Sequence, residues 1–343
     1  MSVAESILLR ELREAQHAVA RQQQALREPL QALVARLERR RPQVVMTCAR
    51  GSSAHAATFG KHLIERYLRI PVAAAAPNIA TVYKRDLQLK DQLAIIVSQS
   101  GRSDDLIEQA KSARRAGALT VGVINETESP LAAACEIVLP MAAGPELGVA
   151  ATKSYIASLS VLLHLTTDWT GNDKLKAAIA RLPERLARAT ELDWGAALDG
   201  LSQAAGLIVI GRGPTLAIAR EAALKLKETC GVQAEAYSGA EFMHGPVTLV
   251  APGYPIVVLM PTDEAAAGLH DLAKDLVAKD AAVFTTATEG AGRIRLPVLA
   301  SDCSETDAVC LIQTFYGMMI RLAEWRGTSP DRPRHLQKVT RTR

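Results

Sequence analysis

The stretch Leu93–Asp105, LAIIVSQSGRSDD, sets the reading of the chain around it. Leu93 to Val97 is a short, continuous apolar run rich in Ile and Val, the pattern of a strand buried on both faces. Polarity then switches at Ser98-Gln99-Ser100-Gly101-Arg102-Ser103, and Asp104-Asp105 opens a helical pattern carrying Leu106, Ile107 and Ala110. In a parallel α/β sheet such a turn lies at the carboxyl end of its strand, where ligands bind. Backbone N–H groups and the first turn of the following helix attract an anion there. Serine hydroxyls donate to phosphate oxygens without charge of their own, and Gly101 permits a tight turn. The competing reading is an ordinary βα loop whose serines cap a helix.

Outward from that stretch, 343 residues suggest two domains. With 48% hydrophobic and 22% charged residues the composition is globular. The net charge of +4 is small, and basic residues are scattered apart from Arg39-Arg40-Arg41 and the tail, so no nucleic-acid partner is expected. Five cysteines (Cys48, Cys135, Cys230, Cys303, Cys310) form no C-x2-C spacing, which argues for reduced thiols in a cytoplasmic protein and against a zinc site. No signal peptide is read at the N-terminus. The most apolar stretch, Tyr155 to Leu165, is about half of the roughly 20 residues a bilayer span needs, so no membrane partner is expected.

Ala4 to Leu37 reads as two helices, with Pro29 in the first turn of the second. Val44-Val45-Met46 is then a strand, Ala49-Arg50-Gly51-Ser52-Ser53 a loop and Ala54 to Leu68 a helix. Val72 to Ala76, Leu93 to Val97, Leu119 to Ile124 and Ile137 to Pro140 follow as strands, with a helix up to Ala116 between the middle pair. This alternation predicts a parallel sheet covered on both faces. Ala151 to Trp169 is a long apolar helix and Leu175 to Ala197 a charged one that connects domains. The pattern then restarts. Leu207-Ile208-Val209-Ile210 with Gly211-Arg212-Gly213-Pro214-Thr215 echoes the first strand and loop, Gly213 standing 162 residues after Gly51. Pro255 to Met260 matches Leu93 to Val97, and Ala282 to Ala287 matches Leu119 to Ile124. A duplicated α/β domain is expected, but with Pro261-Thr262-Asp263-Glu264 in place of the serines. That acidic turn repels phosphate, so only the first copy should hold one.

The duplicated sheet with S-Q-S-G-x-S resembles the sugar isomerase (SIS) domain pair. Within that family it is similar to the isomerase half of glucosamine-6-phosphate synthase and to the free-standing isomerising glucosamine-6-phosphate deaminase. The resemblance runs from about Arg41 to Thr340 and rests on several stretches in order. They are Ser98-Gln99-Ser100-Gly101, the loop Gly144 to Lys153 (GPELGVAATK), Glu221 to Glu228 (EAALKLKE), Ala234 to Tyr237 (AEAY), His244-Gly245-Pro246 and Asp331 to Lys338 (DRPRHLQK). It implies two tandem SIS domains, each a three-layer α/β unit with helices on both faces of a parallel sheet, an N-terminal helical arm and a C-terminal catalytic tail. The expected boundaries are 1–40 for the arm, 41–172 and 199–329 for the two domains, 173–198 for the helical connection and 330–343 for the tail. The implied phosphosugar site uses Gly51, Ser52, Ser53, Ser98, Gln99, Ser100, Ser103, Val149 and Ala150. Arg50 departs from the synthase, which has a small residue there. So does Ser2 after Met1, where the synthase begins a glutaminase domain with a cysteine nucleophile.

The chemistry has its own reading in the residues. Glu221, Lys225 and Glu228 fall at i, i+4 and i+7, on one helix face. Two readings stand: a solvated ion-pair ladder, or a carboxylate beside a cation suited to moving a proton between C1 and C2 of a sugar. The resemblance implies that Glu228 is that base, with Lys225 stabilising charge on the sugar oxygens. His244 sits between apolar residues and a turn signal; a packed core histidine is one reading, and the family implies the acid/base that opens the sugar ring, supplied by the neighbouring subunit. A homodimer with shared active sites follows. Lys338 lies in a polar tail where fraying is the plain reading, while the synthase uses a matching lysine for a Schiff base with the ketose. The catalytic set is thus Glu228, His244, Lys338 and Lys225, with no metal and no cofactor. The expected reaction is isomerising deamination of glucosamine 6-phosphate to fructose 6-phosphate and ammonia. Alternatives are a fructosamine-6-phosphate deglycase or an amino-sugar ketose isomerase, and, from another class, a non-catalytic sugar-phosphate sensor.

Overall fold

The structure, a computed structural model, describes residues 6–288 and 294–338. Ala4, where the first helix is expected to begin, and residues 339–343 of the tail lie outside them. The chain divides into two compact units. One holds His17–Glu146, Lys153–Ala180 and the chain from Gln337; the other holds Met1–Gln16, Leu147–Thr152 and Arg181–Leu336.

The first unit is built on five parallel strands, β1 (Val45–Cys48), β2 (Val72–Ala74), β3 (Leu93–Ser98), β4 (Leu119–Ile124) and β5 (Ile137–Pro140), in the order β2-β1-β3-β4-β5. Every residue of β1 and β3 is buried, which is why those runs read as continuously apolar rather than alternating. On one face, helix Asp104–Arg115 seats Leu106, Ala110 and Ala113 against Met46, Ala94 and Ile96. Helix Lys153–Thr170 is buried along almost its whole length, nearly all its Ser and Thr residues as deeply as its Leu and Val.

That burial has a consequence for acid stability. His164 lies in helix Lys153–Thr170, and burial pushes its pKa down from 6.5 to about 4. The folded state therefore holds the imidazole neutral while the unfolded chain takes up a proton below pH 6.5. Stability falls as pH drops from about 6.5 towards 4. The full contribution is on the order of 3 kcal/mol, and urea titrations of His164→Leu against the native chain should show a flatter profile across that window. An unchanged slope would place the acid sensitivity elsewhere.

The second unit repeats the scheme with β6 (Gly206–Gly211), β7 (Gln233–Ser238), β8 (Pro255–Val258), β9 (Ala282–Thr285) and β10 (Ile294–Arg295), all parallel, in the order β10-β9-β8-β6-β7. Helix Pro214–Cys230 packs against helix Ser304–Trp325. On the opposite face Phe242, Leu269, Leu272 and Leu276 close over Ile208, Ile256 and Val258. The duplicated α/β architecture expected from the sequence is therefore present, with helices on both sheets.

Local boundaries differ from the expected ones in places. Gly51, Ser52 and Ser53 are not loop but the first turn of helix Gly51–Leu63, which continues as a π turn over Ile64–Leu68. The charged helix runs Asp173–Thr190, and a separate 3₁₀ turn occupies Gly195–Ala197. β7 was not expected as a strand. It lies at a sheet edge, bonded to β6 alone, and only Ala234 of its six residues is buried. Among the described residues no helix is long and apolar enough to cross a membrane.

Candidate active-site residues

In the first sheet, β1 returns to β2 on one side while β3 lies on the other, so the chain reverses its direction of winding between β1 and β3. The crevice outside the carboxyl ends of two such strands is where open α/β sheets hold ligands. Here it is bordered by Arg50-Gly51-Ser52-Ser53 after β1 and by Gln99 to Ser103 after β3. Helices Gly51–Leu63 and Asp104–Arg115 start from the two loops, each bringing free backbone N–H groups and a positive dipole end.

The loops are shaped for this. Gly101 has φ +61°, and a Cβ there would lie 1.9 Å from Oγ of Ser129, the N-cap of helix Pro130–Ala134, so no other residue fits without displacing that cap. Ser98 is buried, and its hydroxyl accepts the Gly101 N–H at 3.0 Å, so it serves the turn itself. Ser100 Oγ accepts the Arg102 N–H at 3.3 Å and keeps its own proton to donate. Ser103 is the N-cap of its helix, yet its side chain makes no capping bond; the N-cap of the other helix is Arg50, again without a side-chain bond. Helix capping therefore does not account for Ser52, Ser53 or Ser103.

Arg50, the departure noted above, ties the two loops together. Its Nε donates to Asp105 Oδ2 at 2.8 Å, and Asp105 is buried while the Arg50 side chain is half exposed. The guanidinium thus offsets a carboxylate that would otherwise oppose an anion in the crevice.

Lys338 belongs to the same unit. Its ammonium lies 3.6 Å from Glu146 Oε2, a carboxylate with a fully buried side chain held by Ser154 N (3.0 Å) and Ser154 Oγ (2.6 Å). The tail lysine is anchored rather than frayed. Glu146 has no role among the residues expected from the sequence; a carboxylate inside a Gly-Pro loop is its only signal there.

The other predicted residues lie in the second unit. Glu221, Lys225 and Glu228 share one face of helix Pro214–Cys230 as their spacing requires, but the face is turned inward. The side chains of Glu221 and Lys225 are 0% and 1% exposed and that of Glu228 is 20% exposed. Lys225 Nζ donates to Glu228 and lies 3.7 Å from Glu221 Oε1, which also accepts the Tyr316 hydroxyl at 3.0 Å. A solvated ladder is excluded. The group is a buried cation between two carboxylates, with Glu228 alone reaching solvent. Tyr316 gave no signal in the sequence, since only packing of helix Ser304–Trp325 brings it here. His244 ends the short helix Gly239–Met243 and is exposed, so it is no core histidine. Val149 and Ala150 follow Gly148, whose N–H donates to Glu11 at 3.2 Å. None of the thiols is poised as a nucleophile: burial pushes Cys48, Cys135, Cys303 and Cys310 up to about 12 and Cys230 to about 11. Among the described residues no group of three or more His, Cys, Asp or Glu side chains is arranged to hold a metal.

These features define a duplicated, doubly wound α/β protein with a hydroxyl-lined crevice in its first half and a buried carboxylate–lysine group in its second. The chain belongs to the SIS domain family, whose pattern matches residues 40–167 and 200–288. It is similar to the glutamine–fructose-6-phosphate aminotransferase (isomerizing) of Gluconobacter oxydans, 33% identical over 319 residues that cover 87% of this chain and 51% of that protein. The chain spans about half the length of the curated relatives it matches. Among solved structures, a protein of Silicibacter pomeroyi DSS-3 provisionally described as a phosphosugar isomerase is 39% identical with a TM-score of 0.91, covering 95% of this chain and all of that one. Glucosamine-6-phosphate deaminase from Thermotoga maritima, 24% identical with a TM-score of 0.72 over 96% of this chain and all of its own, shares the fold.

Proposed function

We propose that this chain is a phosphosugar aldose–ketose isomerase of the deaminating type, converting glucosamine 6-phosphate and water to fructose 6-phosphate and ammonia. The observation that carries the reading is the Glu221–Lys225–Glu228 group, in which one carboxylate is left partly exposed beside a buried cation. A base so placed suits proton transfer α to a carbonyl. The relationship to isomerizing aminotransferases and the hydroxyl-lined crevice support a phosphorylated sugar as the substrate.

In this mechanism the serine loop and helix N-termini bind the phosphate. His244 assists opening of the ring to the aldehyde. Glu228 removes the C2 proton, giving an enaminol, and returns it to C1, giving the C2 imine of the ketose. Water adds to that imine and ammonia leaves. Lys338 shares the imine by exchange, and Lys225 balances charge on the sugar oxygens. An exposed His244 flanked by exposed Met243 and Leu249 is consistent with a homodimer in which the histidine serves the partner's site.

Ammonia release measured across glucosamine 6-phosphate, fructosamine 6-phosphates and their unphosphorylated forms tests the reading. Glucosamine 6-phosphate should be the best substrate. Preference for a fructosamine 6-phosphate would make the enzyme a deglycase, and binding without turnover of any would make it a sensor.

The crevice carries its own expectation. A hydrogen bond to a charged group is worth about 1.5–3 kcal/mol, so Ser100→Ala should weaken sugar-phosphate binding roughly tenfold to a hundredfold. Titration calorimetry with the unphosphorylated sugar should show almost no change. Equal losses for both ligands would make the loop a structural element only.

A further inference from the structure

We infer that the second unit carries a separate binding site for an uncharged, oxygen-rich ligand of about monosaccharide size. A cavity of about 420 Å³ opens at the carboxyl ends of β8 and β9, wholly within this unit, and none of its lining residues takes part in the chemistry above. That volume falls in the range of about 300–1,000 Å³ typical of small-molecule sites.

Its place in the sheet is the counterpart of the serine loop. β8 neighbours β6 across the reversal of winding, as β3 neighbours β1. On the β6 side the crevice is shut: Thr215 Oγ1 donates to Leu259 O at 2.8 Å and accepts the Arg212 N–H at 3.0 Å. The open space is therefore displaced towards β9, between Met260–Asp263, Thr286–Thr288 and the start of helix Ser304–Trp325.

The chemical class of ligand follows from which bonds are spent. Thr286 Oγ1 accepts the Met260 N–H at 2.8 Å, and Ser304 Oγ accepts the Thr262 N–H at 3.2 Å. Both hydroxyls are fixed by backbone and keep their protons to donate. Arg185 gives Nη2 to Ala300 O (3.0 Å) and Asp307 Oδ1 (2.6 Å), but its Nε is buried with no partner. A buried donor without an acceptor costs about 1–3 kcal/mol, which a ligand oxygen would recover. The Asp307 carboxylate, by contrast, is fully occupied, accepting Thr262 Oγ1 at 2.7 Å and the Asp302 N–H besides Arg185.

Charge then excludes phosphate. Arg185 and Asp307 cancel, Asp263 brings a second carboxylate, and His270 and the Cys310 thiol are the other titratable groups in the lining. An anion meets no uncompensated arginine or lysine, while an ammonium group has no lone pair to offer the waiting donors of Thr286, Ser304 and Arg185. Hydroxyl or carbonyl oxygens on an uncharged ring satisfy the donors, and Leu299 and Leu311 offer apolar wall to its C–H faces. This inference does not depend on the catalytic reading.

Titration calorimetry on the full chain, with N-acetylglucosamine and glucose as probes, tests it. At least one probe should bind once per chain, and saturating fructose 6-phosphate, held by the serine loop, should not displace it. Removing one neutral hydrogen bond should weaken it about threefold to tenfold in Thr286→Val and in Ser304→Ala; the second variant serves if the first, which takes an acceptor from Met260, fails to fold by circular dichroism. Ala308→Leu, which fills the cavity from a fully buried lining position, should abolish binding. No binding of either probe up to its solubility limit, displacement of the probe by fructose 6-phosphate with the cavity variants unaffected, or inorganic phosphate competing at this site would each overturn the inference.

Discussion

Glu228→Gln should lower kcat on glucosamine 6-phosphate by at least about a hundredfold while KM changes little. General acid–base catalysis contributes typically about 10²–10⁴-fold. The amide keeps the size of the carboxylate and an oxygen to accept from Lys225, so the buried group stays assembled. What is lost is basicity alone. Substrate binding, assigned to the serine loop of the first unit, should be left as it is. A more specific readout is isotopic: the native chain should place solvent deuterium at C1 of the product, and the variant should not. Normal turnover in a folded Glu228→Gln chain would sink the proton shuttle and leave Glu228 as an ion-pair partner.

Lys225→Met should have the largest effect on stability, a loss of about 3–5 kcal/mol in urea unfolding. The side chains of Lys225 and Glu221 are 1% and 0% exposed, so their charges have exchanged water for each other and for the Tyr316 hydroxyl. Removing one member of a buried charged group is far costlier than never building it, because the remaining charge keeps its desolvation penalty. Methionine fills nearly the same volume, which separates lost charge from lost packing. The double variant Lys225→Met/Glu221→Gln should regain much of the loss, since the amide can still accept from Tyr316. A single variant as stable as the native chain would mean that solvent reaches this group after all.

The sequence was legible wherever burial on both faces forced a continuous apolar run. β3, β4, β6 and β8 were found because each lies inside its sheet and must be apolar throughout. Edge strands β2 and β5 were found as well, because Val72 to Ala76 and Ile137 to Pro140 are apolar runs; β7 and β10, at the edges of the other sheet, carry mixed residues and lack that signature. The serine loop was legible because its function needs hydroxyls around a glycine with positive φ, and Gly101 has one.

Spacing likewise put Glu221, Lys225 and Glu228 on one helix face, since helical geometry alone fixes that. It could not say whether the face meets water or protein. That was decided by helix Ser304–Trp325, some 90 residues on, which packs against it and sends Tyr316 to Glu221. The same division holds in the first unit. The sequence supplied two polar turns; only the strand order β2-β1-β3 set them side by side, with Arg50 bonded across to Asp105. It also made capping residues of Arg50 and Ser103 without using their side chains as caps. Local interactions determine which residues form a strand, a turn or a helix face. Which faces are shut from water, and which distant side chains meet there, depends on how the chain winds through each sheet, because burial is a property of packed neighbours rather than of neighbours in sequence.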